Sequence, residues 1–186
     1  MIYLTSDLHF GHQKEFLYEP RGFKDIQTHN KTIISNWNNL IKPTDTVYVL
    51  GDLMLSNTDK GLKNVRQLQE EIFIILGNHD TSNRIEEYNK LPNVKNICYA
   101  TAFKYNNYHF YLSHYPTITS NFDLDKPLKA RLINLCGHSH IKDPFADWDK
   151  YNSPIYHVEL DAHNNMPISI DYIIQEIENH RKQYPG

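Results

Sequence analysis

Five short apolar runs, each followed at once by side chains that can bind metal, constrain this sequence most. The runs are five or six residues long, rich in β-branched and aromatic types, and bounded by Gly or polar residues, which is typical of buried β-strands. They occupy residues 2–6, 46–50, 72–76, 108–113 and 132–136. A further strand over residues 99–105 is expected to pair with 108–113 through a turn at Asn106 and Asn107.

Helical patterns lie between the predicted strands. Apolar residues repeat at helical spacing over residues 28–41 before Pro43 ends the run, and residues 82–90 form a second candidate helix. A third helix is predicted from residue 171, with Asp171 as its N-cap. Strands alternating with helices predict a mixed α/β fold.

The polar clusters after the five runs point to one site. In α/β folds the carboxyl ends of strands border a crevice, so side chains placed there are expected to converge. With 7 Gly and 11 His in the chain, a GHxH motif is expected roughly 0.02 times by chance, which makes accident a poor explanation. The clusters are Asp7 and His9, Asp52, Asn78 and His79, His114, and His138 and His140.

Composition narrows the class of protein. The chain has 186 residues, which predicts a single domain over residues 1–186. Its net charge of −3 argues against a duplex nucleic acid partner. The sequence has no apolar run long enough to span a membrane and no secretory signal pattern, so we expect a cytoplasmic protein without a membrane partner. Cys98 and Cys136 form no CxxC pair and predict no thiolate metal site.

The motifs resemble those of one known family. They are DLHFGH at residues 7–12, GD at 51–52, GNHD at 77–80, LSHYP at 112–116 and GHSH at 137–140. In this combination the chain resembles calcineurin-like metallophosphoesterases of the small, uncapped type found in bacteria and phages. The resemblance implies two facing mixed β-sheets flanked by helices, and hydrolysis of phosphoesters by a hydroxide that bridges two metal ions.

The same resemblance implies a role for each polar residue at the strand ends. His79 would be the catalytic histidine and would protonate the leaving oxygen. The implied ligands are Asp7, His9 and His140 for a first ion, Asn78, His114 and His138 for a second, and Asp52 as a bridge between them.

The donor chemistry supports this assignment independently. Asp, His and Asn suit divalent ions of borderline or hard character, so we expect two divalent ions, with Mn²⁺ preferred and Fe, Zn or Ni as alternatives. Two such ions could activate a shared water and hold both the attacking and leaving oxygens. Glycines directly before Asp52, Asn78 and His138 are expected to let the backbone turn sharply there.

The sequence departs from the family pattern after Asp52. Many relatives read GDxxDRG, in which the later Asp orients the catalytic His and the Arg grips phosphate, whereas residues 55–57 here are Leu, Ser and Asn. Asp80 or a backbone carbonyl is therefore a candidate for orienting His79. His12 and Arg21 are candidates for binding the substrate phosphate.

The leading hypothesis is a phosphoesterase that hydrolyses small phosphodiesters, linear or cyclic and nucleotide-like. The missing Arg favours a monoanionic diester over a monoester dianion, and loops over residues 11–27, 115–131 and 141–154 could rim an open site. Alternatives are a phosphatase or nuclease of the same fold, or a non-catalytic scaffold such as the family member in retromer. The oligomeric state stays open. Other polar residues are expected to be structural, with His29 and His157 lacking ligand partners and Asp147 in a solvated loop.

Overall fold

A computed structural model describes residues 1–119, 125–148, 150 and 153–184. Nine strands and five α-helices are found in that part of the chain, with a short 3₁₀ helix at Leu128–Ala130. The strands are β1 Ile2–Thr5, β2 Thr46–Leu50, β3 Glu71–Ile75, β4 Val94–Cys98, β5 Ala100–Tyr105, β6 Tyr108–Ser113, β7 Leu132–Cys136, β8 Ile155–His157 and β9 Ile168–Ser169. The helices are α1 Glu15–Tyr18, α2 Ile26–Leu40, α3 Thr58–Val65, α4 Ser82–Tyr88 and α5 Ile170–Gln183.

Two mixed sheets form the framework, which confirms the predicted fold class. The first sheet has the order β4-β3-β2-β1-β9, with β1 to β4 parallel and β9 antiparallel to β1. The second has the order β5-β6-β7-β8, with β5 antiparallel to β6 and the rest parallel. The five predicted strands correspond to β1, β2, β3, β6 and β7, within one residue at each end.

Side-chain alternation along the strands divides the apolar core in two. Successive residues of a strand point to opposite faces, so Val47 and Val49 of β2 pack with α2 residues such as Trp37, while Leu50 packs toward the second sheet. The core between the sheets also includes Phe110 from β6. The two sheets therefore face each other across an apolar layer, and helices cover the outer face of the first.

The helix starts differ from the sequence expectations. The α2 helix begins earlier than predicted because the carboxylate of Asp25 accepts a hydrogen bond from the Thr28 amide at 2.6 Å. The prediction that Asp171 caps α5 is wrong: the Ser169 hydroxyl accepts from the Tyr172 amide at 3.2 Å, and Asp171 lies in the first turn. The sequence did not predict α3, a short helix with Gly61 at its centre. The turn predicted at Asn106 and Asn107 is confirmed, with φ of 46° and 67°.

Candidate metal centre

The loops that follow five strands bring the predicted ligands to one place. Asp7 and His9 follow β1, Asp52 follows β2 and Asn78 follows β3, so the first sheet contributes four residues. The second sheet contributes His114 after β6 and the pair His138 and His140 after β7. Because the carboxyl ends of parallel strands lie at one edge of a sheet, the two edges meet at this site.

Backbone pairing fixes the first two ligand loops against each other. The amide of Asp7 donates to the carbonyl of Gly51 at 3.1 Å, and the amide of His9 donates to the carbonyl of Asp52 at 2.9 Å. The amide of His138 donates to Oδ2 of Asp7 at 2.9 Å, which ties the second sheet to the first. The relative positions of the ligands are thus set by main-chain contacts.

Five of the seven predicted ligands hold a left-handed backbone conformation. Their φ values lie between 47° and 73°. Residues other than Gly rarely adopt this region, and it costs roughly 1–3 kcal/mol for each residue. Such strain is concentrated at functional sites, because surrounding contacts must hold it in place. The five residues are Asp7, His9, Asp52, His138 and His140.

The glycines before the ligands serve two different purposes. Gly51 has a φ of 91°, which confirms that it allows a sharp turn before Asp52. At Gly77 the reason is space, because a Cβ there would overlap the carboxylate of Asp52. The absence of a side chain at Gly77 lets the loop after β3 approach the loop after β2.

One group of donor atoms is built from Asp7, His9 and His140. The Nε2 atoms of the two histidines lie 3.2 Å apart, and Oδ1 of Asp7 lies 3.6 Å and 3.7 Å from them. Three such donors within 4.8 Å of one another could hold a metal ion. Oδ1 of Asp7 is buried and has no hydrogen-bond partner in the described part of the chain, which is costly for a carboxylate unless a cation binds it.

A second group is centred on Nε2 of His114. Its Nδ1 faces the carbonyl of Leu50 at 2.8 Å, so Nδ1 carries the proton and Nε2 is free to bind metal. Oδ1 of Asn78 lies 2.9 Å from that Nε2, and Nδ1 of His138 lies 3.2 Å from it. Oδ2 of Asp52 lies 3.6 Å from Nε2 of His114 and 3.8 Å from Nε2 of His9, between the two groups.

The electrostatics of these residues suit a divalent cation. Burial lowers the pKa of His9 to about 4, which keeps its imidazole neutral and able to bind metal. Burial raises the pKa of Asp7, but the close approach and charge of His9, together with the charge of His140, outweigh it and hold that pKa well below its usual range. Burial raises the pKa of Asp52 to about 6, and a nearby cation would lower it again. The residues present therefore fit the divalent ions that the family resemblance implies.

His79 lies beside the donor groups with its side chain open to solvent. Its side chain is 40% exposed, and its Nε2 lies 3.9 Å from Oδ2 of Asp52. The amide of His79 donates to Oδ1 of Asp52 at 2.9 Å. Arg84, in α4, donates from Nη1 to the His79 carbonyl and from Nη2 to the Ser56 carbonyl at 3.1 Å. No local sequence pattern indicates Arg84, which connects the loop after β2 to the loop after β3 that carries His79.

Asp80 acts on the loop backbone. Its Oδ2 accepts from the amides of Asp52 and Gly77, both at 2.9 Å, and its Oδ1 accepts from the Tyr88 hydroxyl at 2.9 Å. Asp80 is buried, and so is Tyr88. Asp80 therefore fixes the backbone of the loops after β2 and β3, and the second of these loops carries His79. That Asp80 orients His79 through this loop stays a prediction.

Arg21 contacts the first donor group from the interior of the protein. Its Nε and Nη2 bind both carboxylate oxygens of Asp161 at 3.1 Å and 2.6 Å, and Nη2 also donates to the Asp7 carbonyl at 2.9 Å. Oδ2 of Asp161 lies 3.0 Å from Nδ1 of His140. The side chain of Arg21 is only 1% exposed. These contacts favour a role in positioning His140 over direct contact with phosphate.

His12 lies at the rim of the site. Its ring packs edge-on against His9, with ring centres 5.8 Å apart, and against the exposed ring of Phe16 at 5.3 Å. Burial, and then the charge of His79, lower the pKa of His12. His12 thus lies within the electrostatic range of His79, and its substrate role stays a prediction. In the predicted rim loops, residues 120–124, 149, 151 and 152 lie outside the described residues.

The expectation that Asp147 lies in a solvated loop is wrong. His157 is fully buried between carboxylates, with Nε2 3.1 Å from Asp147 and Nδ1 3.2 Å from Glu159, so Asp147 does not lie in a solvated loop. His29 lies beside a guanidinium, with its Nε2 3.1 Å from Nη1 of Arg21, and its assignment as a structural residue stays a prediction. Only the folded chain shows these contacts, because the partners are far apart in sequence or lack a recognisable spacing.

Comparisons with known proteins agree with the geometry. A family model described as the calcineurin-like phosphoesterase superfamily domain matches residues 1–155. An uncharacterised protein of Methanocaldococcus jannaschii is 34% identical over 183 residues, which cover 95% of this chain and 91% of the relative. The gene 66 protein of Mycobacterium phage L5 is 25% identical over 206 residues, covering 99% and 97%. A crystal structure of an Aquifex aeolicus protein of unknown function has the same fold, with a TM-score of 0.73 at 22% identity, covering 95% and 98%.

Proposed function

The chain belongs to the calcineurin-like phosphoesterase superfamily, and from that premise we propose that it is a hydrolase of small phosphodiesters that works with two divalent ions. The observation that carries the proposal is the convergence of two donor groups, one at Asp7, His9 and His140 and one around Nε2 of His114, beside the accessible side chain of His79. Within the described residues no helix is long and apolar enough to cross a membrane. The cytoplasmic location and the single domain stay predictions.

The two donor groups suggest how the ions would be held. Asp7, His9 and His140 would hold the first ion, and Asn78, His114 and His138 the second. Asp52 would contact both, since its Oδ2 lies between the groups. Bound there, the ions would lower the pKa of the attacking water and stabilise the charge on the phosphoryl oxygens. Oxygen and nitrogen donors without thiolate favour Mn²⁺, with Fe, Zn or Ni as alternatives.

His79 has the position needed for proton transfer to the leaving oxygen. A general acid must reach the leaving group and exchange its proton with solvent, and the half-exposed ring of His79 can do both. Its backbone is held on two sides, by the Asp52 carboxylate and the Arg84 guanidinium. His79 therefore acts as the acid in this proposal, while Arg84 holds it in place.

The preference for diesters is supported by the placement of Arg21. A monoester dianion benefits from a dedicated guanidinium, but Arg21 is buried against Asp161 and the carbonyl of Asp7. Asn57, in the segment where relatives carry Arg, caps α3 by accepting from the Lys60 amide at 2.9 Å. A site with less positive charge favours the monoanion of a diester.

Two exposed aromatic rings favour a nucleotide-like substrate. Tyr115 is 49% exposed and packs against His138, with ring centres 4.7 Å apart. Phe16 is 73% exposed and packs against His12 on the side of the first donor group. Exposed rings next to a phosphate site can stack on bases, which is worth roughly 1–3 kcal/mol for each base.

The first test compares two chromogenic esters. We expect kcat/KM for bis-p-nitrophenyl phosphate to exceed that for p-nitrophenyl phosphate under saturating Mn²⁺, and 2′,3′-cyclic nucleotides to be hydrolysed. A monoester preference of about tenfold, roughly 1.4 kcal/mol in transition-state stabilisation, would replace the diesterase with a phosphatase. Cleavage of long polynucleotides in preference to small esters would indicate a nuclease. If metal-loaded protein hydrolysed none of these esters, the non-catalytic scaffold would be the remaining hypothesis.

The second test uses Tyr115→Ala. Loss of the stacking surface should lower kcat/KM for a nucleoside ester, thymidine 5′-(p-nitrophenyl phosphate), by about tenfold relative to methyl p-nitrophenyl phosphate, which has no base. The exposed Tyr99, which lies after β4, offers the matched control Tyr99→Ala. Equal losses for both esters would contradict base stacking at Tyr115.

A further inference from the structure

Three lysines border a cleft between α2 and α3, beside the metal centre. The cleft has a volume of about 400 Å³, and we call it the α2–α3 cleft. Lys31 enters from α2, and Lys60 and Lys63 enter from α3. Neither the metal ligands nor the proposed acid line it.

Helical spacing explains why one type of side chain collects there. In α3, Leu62 and Val65 turn inward to the apolar core, which leaves the stripe with Lys60, Lys63 and Asn64 facing the cleft. In α2, Ile33 is buried in the apolar core, while Gln27, Asn30 and Lys31 face the cleft, with Ile26 at its edge. The two polar stripes therefore oppose each other across the cleft.

The cleft is positively charged without compensation. Among the described residues that line it there is no Asp or Glu. The lining is otherwise rich in amide side chains, which can donate hydrogen bonds to oxygen anions. In the part of the chain that the structure describes, none of the three lysine ammonium groups has an ion-pair partner. Ammonium and amide donors without acids are typical of a site for phosphate groups.

The cleft adjoins the metal centre through two loops. Gly11 lines the cleft and is two residues after His9. Ser56 also lines it and is four residues after Asp52, and its carbonyl is bound by the same Arg84 that holds His79. An anionic group in the cleft could therefore belong to a molecule whose other phosphate lies at the metal centre.

We propose that the α2–α3 cleft binds a second phosphate group of the substrate, separate from the phosphodiester that is cleaved. The inference rests on the proposed phosphodiesterase function and specifies its substrate. The class it fits is a nucleotide diester that carries a further phosphate, such as a short single-stranded oligonucleotide or a phosphorylated nucleotide ester. The three lysines supply the charge that selects this class.

The test compares two esters that differ only in the remote phosphate. They are thymidine 5′-(p-nitrophenyl phosphate) and the same ester with a 3′-phosphate, assayed with Mn²⁺ at low ionic strength. We expect the 3′-phosphate to raise kcat/KM by about tenfold, and salt to reduce that gain. The triple variant Lys31→Gln, Lys60→Gln, Lys63→Gln should abolish the gain. The control is Lys104→Gln, an exposed lysine of β5 in the other sheet, which should retain it.

A second measurement separates failure of the cleft from failure of the proposed reaction. Calorimetric titration of metal-free protein in EDTA with inorganic pyrophosphate needs no catalysis, and we expect at least a tenfold weaker affinity in the triple variant. If neither ester is hydrolysed, the proposed function fails while this titration still tests the cleft. Equal pyrophosphate affinity in the wild type and the triple variant overturns the site. Pyrophosphate binding without any gain from the 3′-phosphate overturns its assignment to the substrate.

Discussion

Exposure distinguishes His79 from the two buried histidines beside it, His9 and His114. His9 and His114 have side chains only 4% and 1% exposed, whereas that of His79 is 40% exposed. A buried imidazole that binds metal cannot exchange protons freely with solvent, but His79 can. The difference in burial therefore supports separate roles for His79 and for the buried pair His9 and His114.

The role of His79 predicts a dependence on the leaving group. His79→Ala should keep its metals and lose about 10² to 10⁴ in kcat for esters with poor leaving groups. The loss should be much smaller for p-nitrophenolate, which departs without protonation. Kinetics on a series of aryl and alkyl diesters, with metal content measured in parallel, checks this. Equal losses across the series would assign His79 to positioning.

Asp161 shows how a residue outside the motifs can hold a ligand. Its carboxylate binds Nδ1 of His140 on one side and the Arg21 guanidinium on the other. Burial alone would lower the pKa of His140, but the hydrogen bond to Asp161 and the charges of Asp7 and Asp161 raise it. A carboxylate behind a metal-binding imidazole orients the ring and makes it a stronger ligand.

Asp161→Asn should therefore weaken metal binding while leaving the predicted ligands in place. We expect the Kd for Mn²⁺ to rise about 10-fold to 100-fold, the usual effect of losing such a partner. Competition with a fluorescent chelator measures the Kd, and thermal unfolding of metal-free protein reports any general loss of stability. Asp59→Asn, at an exposed position of α3, is the control. An unchanged Kd would show that Asp161 serves only the Arg21 ion pair.

At the scale of elements, strands were easier to predict than the contacts that join them. The strands β1, β2, β3, β6 and β7 have buried β-branched runs, and they are followed by ligand motifs that are too rare to arise by chance. Arg84 has no local signal of this kind. Asp161 follows a short apolar stretch, but its sequence position alone does not assign its role, because both roles depend on which loops the fold brings together. The short helix α3 was missed because Gly61 weakens its pattern, and the cleft beside it was missed with it.

The loop before β8 is attached to that strand by a buried charged cluster that should make stability depend on pH. Burial alone would lower the pKa of His157, but hydrogen bonds and charges from Glu159 and then Asp147 raise it above its usual value of about 6.5. The folded state thus binds the proton more tightly than the unfolded chain. The stabilisation is complete below about pH 6.5 and is lost as pH rises through the folded pKa.

The variant His157→Gln measures this contribution. The difference in free energy of unfolding between the wild type and His157→Gln should be larger near pH 6 than near pH 8.5. Urea unfolding at the two pH values, on metal-free protein, gives the difference. His109→Gln on β6 is the control for a histidine without such partners among the described residues. A difference that stays constant, or grows with pH, would contradict a protonated His157.

At the scale of the whole molecule, the metal centre lies where the two sheets meet. Four predicted ligands follow strands of the first sheet and three follow strands of the second. The sheets already share the apolar core that contains Leu50 and Phe110. Ions bound between them would add contacts that exist only in the folded state, so metal binding and folding should be thermodynamically linked.

This linkage gives a test of how many ions bind and where. We expect two Mn²⁺ per chain at saturation, and about 2.7 kcal/mol of added stability for each ion when free metal is 100-fold above its Kd. Asp52→Asn removes the carboxylate that lies between the donor groups, so it should weaken both ions and reduce the stability gain. Metal analysis and urea unfolding at fixed free Mn²⁺ measure both effects, with Asp59→Asn as control. One ion per chain at saturation, or loss of only one ion in Asp52→Asn, would exclude Asp52 as the shared ligand of a two-metal site.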